Sequence, residues 1–198
     1  MKRIAFFGGT FDPIHFGHVN LAIQMAEIHR LDEVIFCPAN YSPHKEHDQP
    51  VAENKDRKAM VALAIAPIRS FSLIEYELNL EGPSYTIHTM QRLVKSHPGA
   101  HFFLLLGEDA LEKLKEWKEI ETLLSLASPL IGSRSGKSDY DFSTFSLRDK
   151  NAIQKGITPI SIMEISSTNI RERLRQKKYC GHLVPGTVLD YIHKHALY

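Results

Sequence analysis

Two cysteines, Cys37 and Cys180, and one tryptophan, Trp117, are all that the 198 residues hold of those types. Thiols so far apart in sequence build no disulfide framework, and they fit a reducing compartment better than a secreted one. No compact Cys/His cluster with zinc-site spacing accompanies them. Also missing is any run of about 18 apolar residues, which excludes a transmembrane helix. The apolar stretch Ile4 to Phe7 is too short for a signal-peptide core, so a cytoplasmic protein is expected. An excess of either charge is lacking too: Lys+Arg 24 against Asp+Glu 23 leaves a net +1. Nucleic-acid binders show a basic face or stripe, so neither nucleic acid nor a membrane is expected as a partner. What remains is ordinary globular composition, 43% hydrophobic and 24% charged. A single domain over 1–198, able to bury its own core, is the expected organisation. Histidine alone is in surplus, with eleven.

Strand-like and helix-like stretches alternate along the chain. Ile4-Ala5-Phe6-Phe7 reads as a buried strand, followed by a helix over about 15–30. Glu33 to Cys37 is a second apolar run, stopped by Pro38, of the kind buried on both faces of a parallel sheet. A helix over 54–65, a strand over 71–76, a helix over 85–97 and a strand over 101–106 follow. Residues 109–125 predict a helix broken near Trp117, and 129–132 a short strand. Residues 133–145, rich in Ser, Gly and Asp, show no periodicity and are expected to form a mobile loop. A last strand is expected at 159–163, then helices at about 168–178 and 185–196. This alternation predicts an α/β, Rossmann-like, doubly wound parallel sheet with a small C-terminal helical extension.

Two stretches carry chemistry. The first is Gly8 to His18, GGTFDPIHFGH. A strand runs into glycines, then a loop, then a helix start. Glycines at 8 and 9 would let backbone N–H groups approach an anion without a Cβ in the way. The helix start adds unpaired donors and a partial positive charge. His15 and His18, three apart, share one face if the helix has begun there, and Gly17 between them would keep that face open. By themselves these residues also allow a plain turn, or a zinc site completed from elsewhere. The second stretch is Ile165-Ser166-Ser167-Thr168-Asn169-Ile170-Arg171. Hydroxyl residues here could simply cap a helix. With Arg171 one turn further in, they could also clamp a phosphate.

The first string resembles the HxGH signature of the nucleotidylyltransferase superfamily, and the second its ISSTxIR motif. Further segments narrow the likeness. Pro38-Ala39-Asn40-Tyr41-Ser42-Pro43-His44-Lys45 resembles the loop ending in PHK of bacterial nicotinate-mononucleotide adenylyltransferases. Gly82-Pro83-Ser84-Tyr85-Thr86 resembles their GPSYT segment and Gly107-Glu108-Asp109 their GxD. Trp117 falls where that family keeps a ring-stacking tryptophan, and the C-terminal stretch is similar as well. One departure is Ile120, where family members often carry a second aromatic.

The resemblance implies adenylyl transfer from ATP to nicotinate mononucleotide, with pyrophosphate as co-product. It implies that His15, His18, Lys45 and Arg171 act at the transferring phosphates. Gly8, Gly9, Thr10, Phe11, His15, His18, Gly107, Asp109, Ile165, Ser166, Ser167, Thr168 and Arg171 would bind ATP. Thr10, Phe11, Lys45, Tyr85, Thr86, Trp117 and Arg134 would bind the mononucleotide. No carboxylate pair marks a protein-built metal cage, so Mg²⁺ is expected to arrive on ATP. Taken singly, each residue keeps a plainer reading: Lys45 as a solvated lysine, Tyr85 and Thr86 as a helix opening, Trp117 as packing, Asp109 as a helix-start acid. The rival readings are a phosphopantetheine adenylyltransferase or a cytidylyltransferase, a class I aminoacyl-tRNA synthetase, for which the chain has no room for a tRNA-binding domain and no basic excess, and a nucleotide-binding or regulatory protein without catalysis.

Overall fold

The structure, a computed structural model, describes residues 1–41, 43, 49–134 and 140–198. Its strands are β1 (Arg3–Gly9), β2 (Glu33–Pro38), β3 (Phe71–Leu73), β4 (His101–Gly107), β5 (Ser128–Ser133) and β6 (Ile157–Pro159). They form one six-stranded sheet in the order β3-β2-β1-β4-β5-β6. The registered pairs are parallel: Arg3 lies opposite His101 in β1–β4, Leu105 opposite Leu130 in β4–β5, and Ile131 opposite Ile157 in β5–β6. Parallel strands need crossovers, and the helices supply them. These are α1 (Phe16–Ile28), α2 (Asn54–Ile65), α3 (Thr86–Ser96), α4 (Ile120–Leu126), α5 (Leu147–Gly156), α6 (Ser167–Arg175) and α7 (Gly186–Lys194). The α/β, doubly wound reading therefore holds. Among the described residues no helix is long and apolar enough to cross a membrane.

The apolar runs became strands because both of their faces are covered. Ile4, Ala5 and Phe6 are buried, as are Val34 to Cys37 and Phe102 to Leu106. Such strands show no alternation, only continuous hydrophobicity.

Three expectations need correcting. The last strand is Ile157–Pro159, not 159–163. Only 157–159 pair with β5, and the apolar residues beyond, Ile162 and Met163, stand 37% and 43% exposed. Leu147–Gly156 is a helix that apolar periodicity did not announce. Its signal is the N-cap Ser146: Asp149 N donates to Ser146 Oγ at 3.2 Å, and Ser146 Oγ donates to Asp149 Oδ2 at 2.7 Å. The stretch Glu108–Glu116 is a 3-10 helix ending at Trp117, so the break falls where expected but the first half is wound more tightly. Of the expected mobile loop, residues 135–139 lie outside the described residues.

The chain divides into two compact units. The first comprises Met1–Phe7, Leu21–Ile35 and Tyr85–Ile162. The second comprises Gly8–Asn20, Phe36–Ser84 and Met163–Tyr198.

Candidate active site

The second unit holds both phosphate-type motifs. The loop from Thr10 to His15 leaves β1 and enters α1. His18 N and Val19 N both donate to the His15 carbonyl, at 3.0 and 3.2 Å, so His15 sits at the helix start. Phe16 N is anchored to the Leu183 carbonyl at 2.9 Å. The two imidazoles stack, with ring centroids 3.7 Å apart and planes inclined by 24°. His15 N donates to His18 Nδ1 at 3.3 Å. That bond makes Nδ1 an acceptor, so a neutral His18 carries its proton on Nε2. His15 is buried, and burial pushes its pKa down to about 4. Its Nδ1 makes no hydrogen bond to the described residues. The first turn of α1 has no acidic residue of its own to offset the positive end of the helix dipole.

The glycines serve packing more than open space. A Cβ at Gly17 would lie 3.0 Å from both Cε1 and Nδ1 of His15 and 3.2 Å from the Met163 carbonyl. Gly17 thus makes room for the His15 ring. A Cβ at Gly9 would lie 2.9 Å from Cζ of Phe11. That ring is buried, edge-on to His18 at 5.1 Å and 5.8 Å from Phe36. Phe11 adopts a left-handed backbone, with φ of 49°. Its side chain belongs to the core, so only its backbone is available to a ligand. Gly8 and Thr10 are half-buried beside it.

The hydroxyls before α6 divide their work. Ser166 caps the helix, accepting from Asn169 N at 3.4 Å. Ser167 Oγ donates to the Pro13 carbonyl at 2.9 Å, and Thr168 Oγ1 accepts from Arg171 at 3.3 Å. Ile165 leads in, half-buried. Arg171, itself buried, donates to the Asp12 carbonyl at 2.8 Å. The Ser167–Pro13 and Arg171–Asp12 contacts span 154 and 159 residues of sequence, and they bond the two motifs to each other.

Two residues that sequence reading missed hold this unit together. Arg57 is 0% exposed and donates to the carbonyls of Thr10 (2.7 Å), Ala39 (2.6 Å) and Asn40 (3.0 Å). It thereby joins the ends of β1 and β2. Asp12, also buried, accepts from Val51 N at 2.7 Å, Ala52 N at 3.2 Å and the Tyr198 hydroxyl at 2.6 Å. No sequence signal singles them out, because burial of a charged side chain leaves no periodic trace. The segments around Asn40 and Ser84 are also stitched together. Asn40 N donates to Ser84 Oγ at 2.9 Å, and Ser84 N to the Tyr41 carbonyl at 2.9 Å. Lys45 lies outside the described residues.

The remaining candidates fall in the first unit. Tyr85 precedes α3, and Thr86 begins it without a side-chain cap from Tyr85. Lys118 Nζ stands 4.5 Å over the Tyr85 ring. Gly107 ends β4, where a Cβ would lie 2.5 Å from Asp109 Oδ1, so glycine is what admits that carboxylate. Trp117 is half-buried at the end of the 3-10 helix, its N–H donating to the Leu114 carbonyl at 3.2 Å. Ile120 is buried, so the position where an aromatic was missed is a core position in this chain. Arg134 is exposed, its backbone N donating to Glu108 Oε2 at 3.4 Å.

A family model described as cytidylyltransferase-like matches residues 6–173. A relative from Bacillus cytotoxicus, named "Probable nicotinate-nucleotide adenylyltransferase", is 40% identical over 100% of this chain and 99% of its own. One of the same name from Clostridium acetobutylicum is 38% identical over 100% of both. The chain belongs to the nicotinate-nucleotide adenylyltransferase family. A solved Plasmodium falciparum nicotinic acid mononucleotide adenylyltransferase, complexed with NaAD, has the same fold. It superposes with a TM-score of 0.76 at 21% identity, over 100% of this chain and 98% of that one. Both motif stretches, Gly8 to His18 and Ile165 to Arg171, fall within the part matched by the family model.

Proposed function

We propose that this chain transfers the adenylyl group of ATP to nicotinate mononucleotide, yielding nicotinate adenine dinucleotide and pyrophosphate. A phosphate oxygen of the mononucleotide attacks the α-phosphorus in line. The new P–O bond forms as the bond from the α-phosphorus to the bridging oxygen of pyrophosphate breaks. A phosphate monoester is already ionised near neutral pH, so no general base is needed and catalysis reduces to positioning and charge stabilisation.

The observation that carries this reading is the stacked His15–His18 pair bonded through Asp12 and Pro13 to the Ser167–Arg171 turn. The family's full-length similarity supplies the substrate class. In this reading His18 offers its Nε2 proton to an oxygen of the α-phosphate, and His15 acts beside it. The α6 N-terminus and Arg171 face the departing pyrophosphate. Lys45 neutralises charge at the transferring group. Gly8, Gly9, Thr10 and the Phe11 backbone border the nucleotide, with Gly107, Asp109 and Ile165 to Thr168 completing the ATP contacts. Tyr85, Thr86, Trp117 and Arg134, together with Thr10 and Phe11, hold the mononucleotide. Among the described residues no group of three His, Cys, Asp or Glu side chains could hold a metal ion. Mg²⁺ arriving on the triphosphate would neutralise its charge.

The test offers ATP in turn with nicotinate mononucleotide, nicotinamide mononucleotide and phosphopantetheine, and CTP with the same acceptors. Pyrophosphate from ATP and nicotinate mononucleotide, exceeding every other pair, is the expected result. A preference for phosphopantetheine or CTP would replace this reading by one of its rivals. ATP binding without pyrophosphate would leave a nucleotide-binding protein.

A further inference from the structure

Asp12 lies three residues before His15, on the loop that delivers both histidines, and its polar atoms are committed to three separate segments. Oδ2 accepts from Val51 N at 2.7 Å, and Oδ1 from Ala52 N at 3.2 Å, which ties the loop to the residues leading into α2. Oδ1 also accepts from the Tyr198 hydroxyl at 2.6 Å, beyond α7. The Asp12 carbonyl accepts from Arg171 at 2.8 Å, and that guanidinium stands 3.9 Å from Oδ2. The carboxylate is 3% exposed. Its oxygens face protein donors, so it is neither a base nor a metal ligand.

We propose that Asp12 is a positioning residue for the transfer step, fixing the loop that ends at His15, and with it the first turn of α1 that carries His18, at once against Arg171, the residues leading into α2 and Tyr198. This rests on the adenylyl-transfer reading above. A neutral residue cannot do the same. Two N–H groups and one O–H converge on two oxygens, and only a carboxylate accepts from all of them without turning a donor inward. Tyr198 is suited to its part, since burial and then the Asp12 carboxylate push its phenol pKa upward, keeping it a neutral donor. A loop held from three sides keeps the imidazoles on the line of attack. A misplacement of about 1 Å there costs on the order of 100-fold in rate.

The experiment compares wild type, Asp12→Asn, Tyr198→Phe and the double variant by steady-state kinetics, thermal unfolding and amide hydrogen exchange. Asp12→Asn keeps the shape but swaps one acceptor for an NH₂ group. Its kcat should fall about 10- to 100-fold, with KM for both substrates nearly unchanged. Exchange at Val51, Ala52 and residues 14–18 should quicken. Tyr198→Phe removes one hydroxyl, and should lower kcat less, with its melting temperature near wild type. The double variant should lose less than the product of the two single effects, because both act on one carboxylate. A folded Asp12→Asn protein with wild-type kcat, or one impaired only in KM, overturns the proposal. If Asp12→Asn does not fold, an unchanged kcat in Tyr198→Phe overturns it. If wild type makes no dinucleotide, the adenylyl-transfer reading fails instead. The exchange comparison then decides the tether alone: unchanged protection over residues 14–18 rejects it, and faster exchange upholds it.

Discussion

His15 donates its backbone N–H to the Nδ1 of His18, and the two rings stack at 3.7 Å. One contact thus fixes which nitrogen of a neutral His18 carries the proton, and the stack orients its ring. Replacing His18 with Ala should lower kcat by a factor of about 100 or more, in the range lost when a single transition-state donor is removed. The ring is only half-buried, so the fold should survive. A folded His18→Ala protein of near-normal turnover would contradict the role given to it.

His15 makes the stability of the chain acid-sensitive. Its folded-state pKa lies at about 4, below the ordinary 6.5, because burial disfavours the charged ring. As pH drops below 6.5 the unfolded chain takes up a proton that the folded chain refuses. The stabilising contribution is therefore complete above pH 6.5 and is lost progressively down to about pH 4. The full span amounts to a few kcal/mol, by order of magnitude. Urea unfolding of wild type and His15→Gln across that window should show a steeper acid loss in wild type. Parallel curves would show that His15 is not the source.

Arg57 should matter to stability above all. Replacing it with Met leaves the buried carbonyl of Ala39 and the half-buried carbonyls of Thr10 and Asn40 without this donor. Each such loss costs on the order of 1–3 kcal/mol, so a total of about 3 kcal/mol or more is expected in denaturant unfolding. A change below about 1 kcal/mol would mean that water replaces the guanidinium at little cost.

Trp117→Ala should weaken the pyridine nucleotide far more than ATP. Stacking of an aromatic ring on a base is worth about 1–3 kcal/mol in comparable contacts. Calorimetric titration of each ligand separates the two, and equal losses would count against a stacking role.

The parts of the fold legible in the sequence were those where one local signal and one tertiary role coincide. The apolar run before Gly8 is a strand because both its faces are buried, and Ser166 caps α6 as its residue type suggests. Sequence failed where an apolar residue is not buried or a charged one is. Ile162 and Met163 imitated a strand that had already ended at Pro159, and no local signal marks Asp12 and Arg57 as buried. The helix α5 went unread although Ser146 carries a capping signal for it, because apolar periodicity alone overlooks it. The glycine of the histidine motif was legible as necessary, but its reason, the His15 ring against its missing Cβ, needed coordinates.

The central claim is that the α-phosphate of ATP moves to the mononucleotide while the outer two phosphates depart together. ATP labelled with ³²P at the α position, incubated with nicotinate mononucleotide and this chain, should pass its label into nicotinate adenine dinucleotide. ATP labelled at the γ position should pass its label into pyrophosphate, in equal amount. Label from the α position that stays in ATP, or leaves as free AMP, would contradict the account.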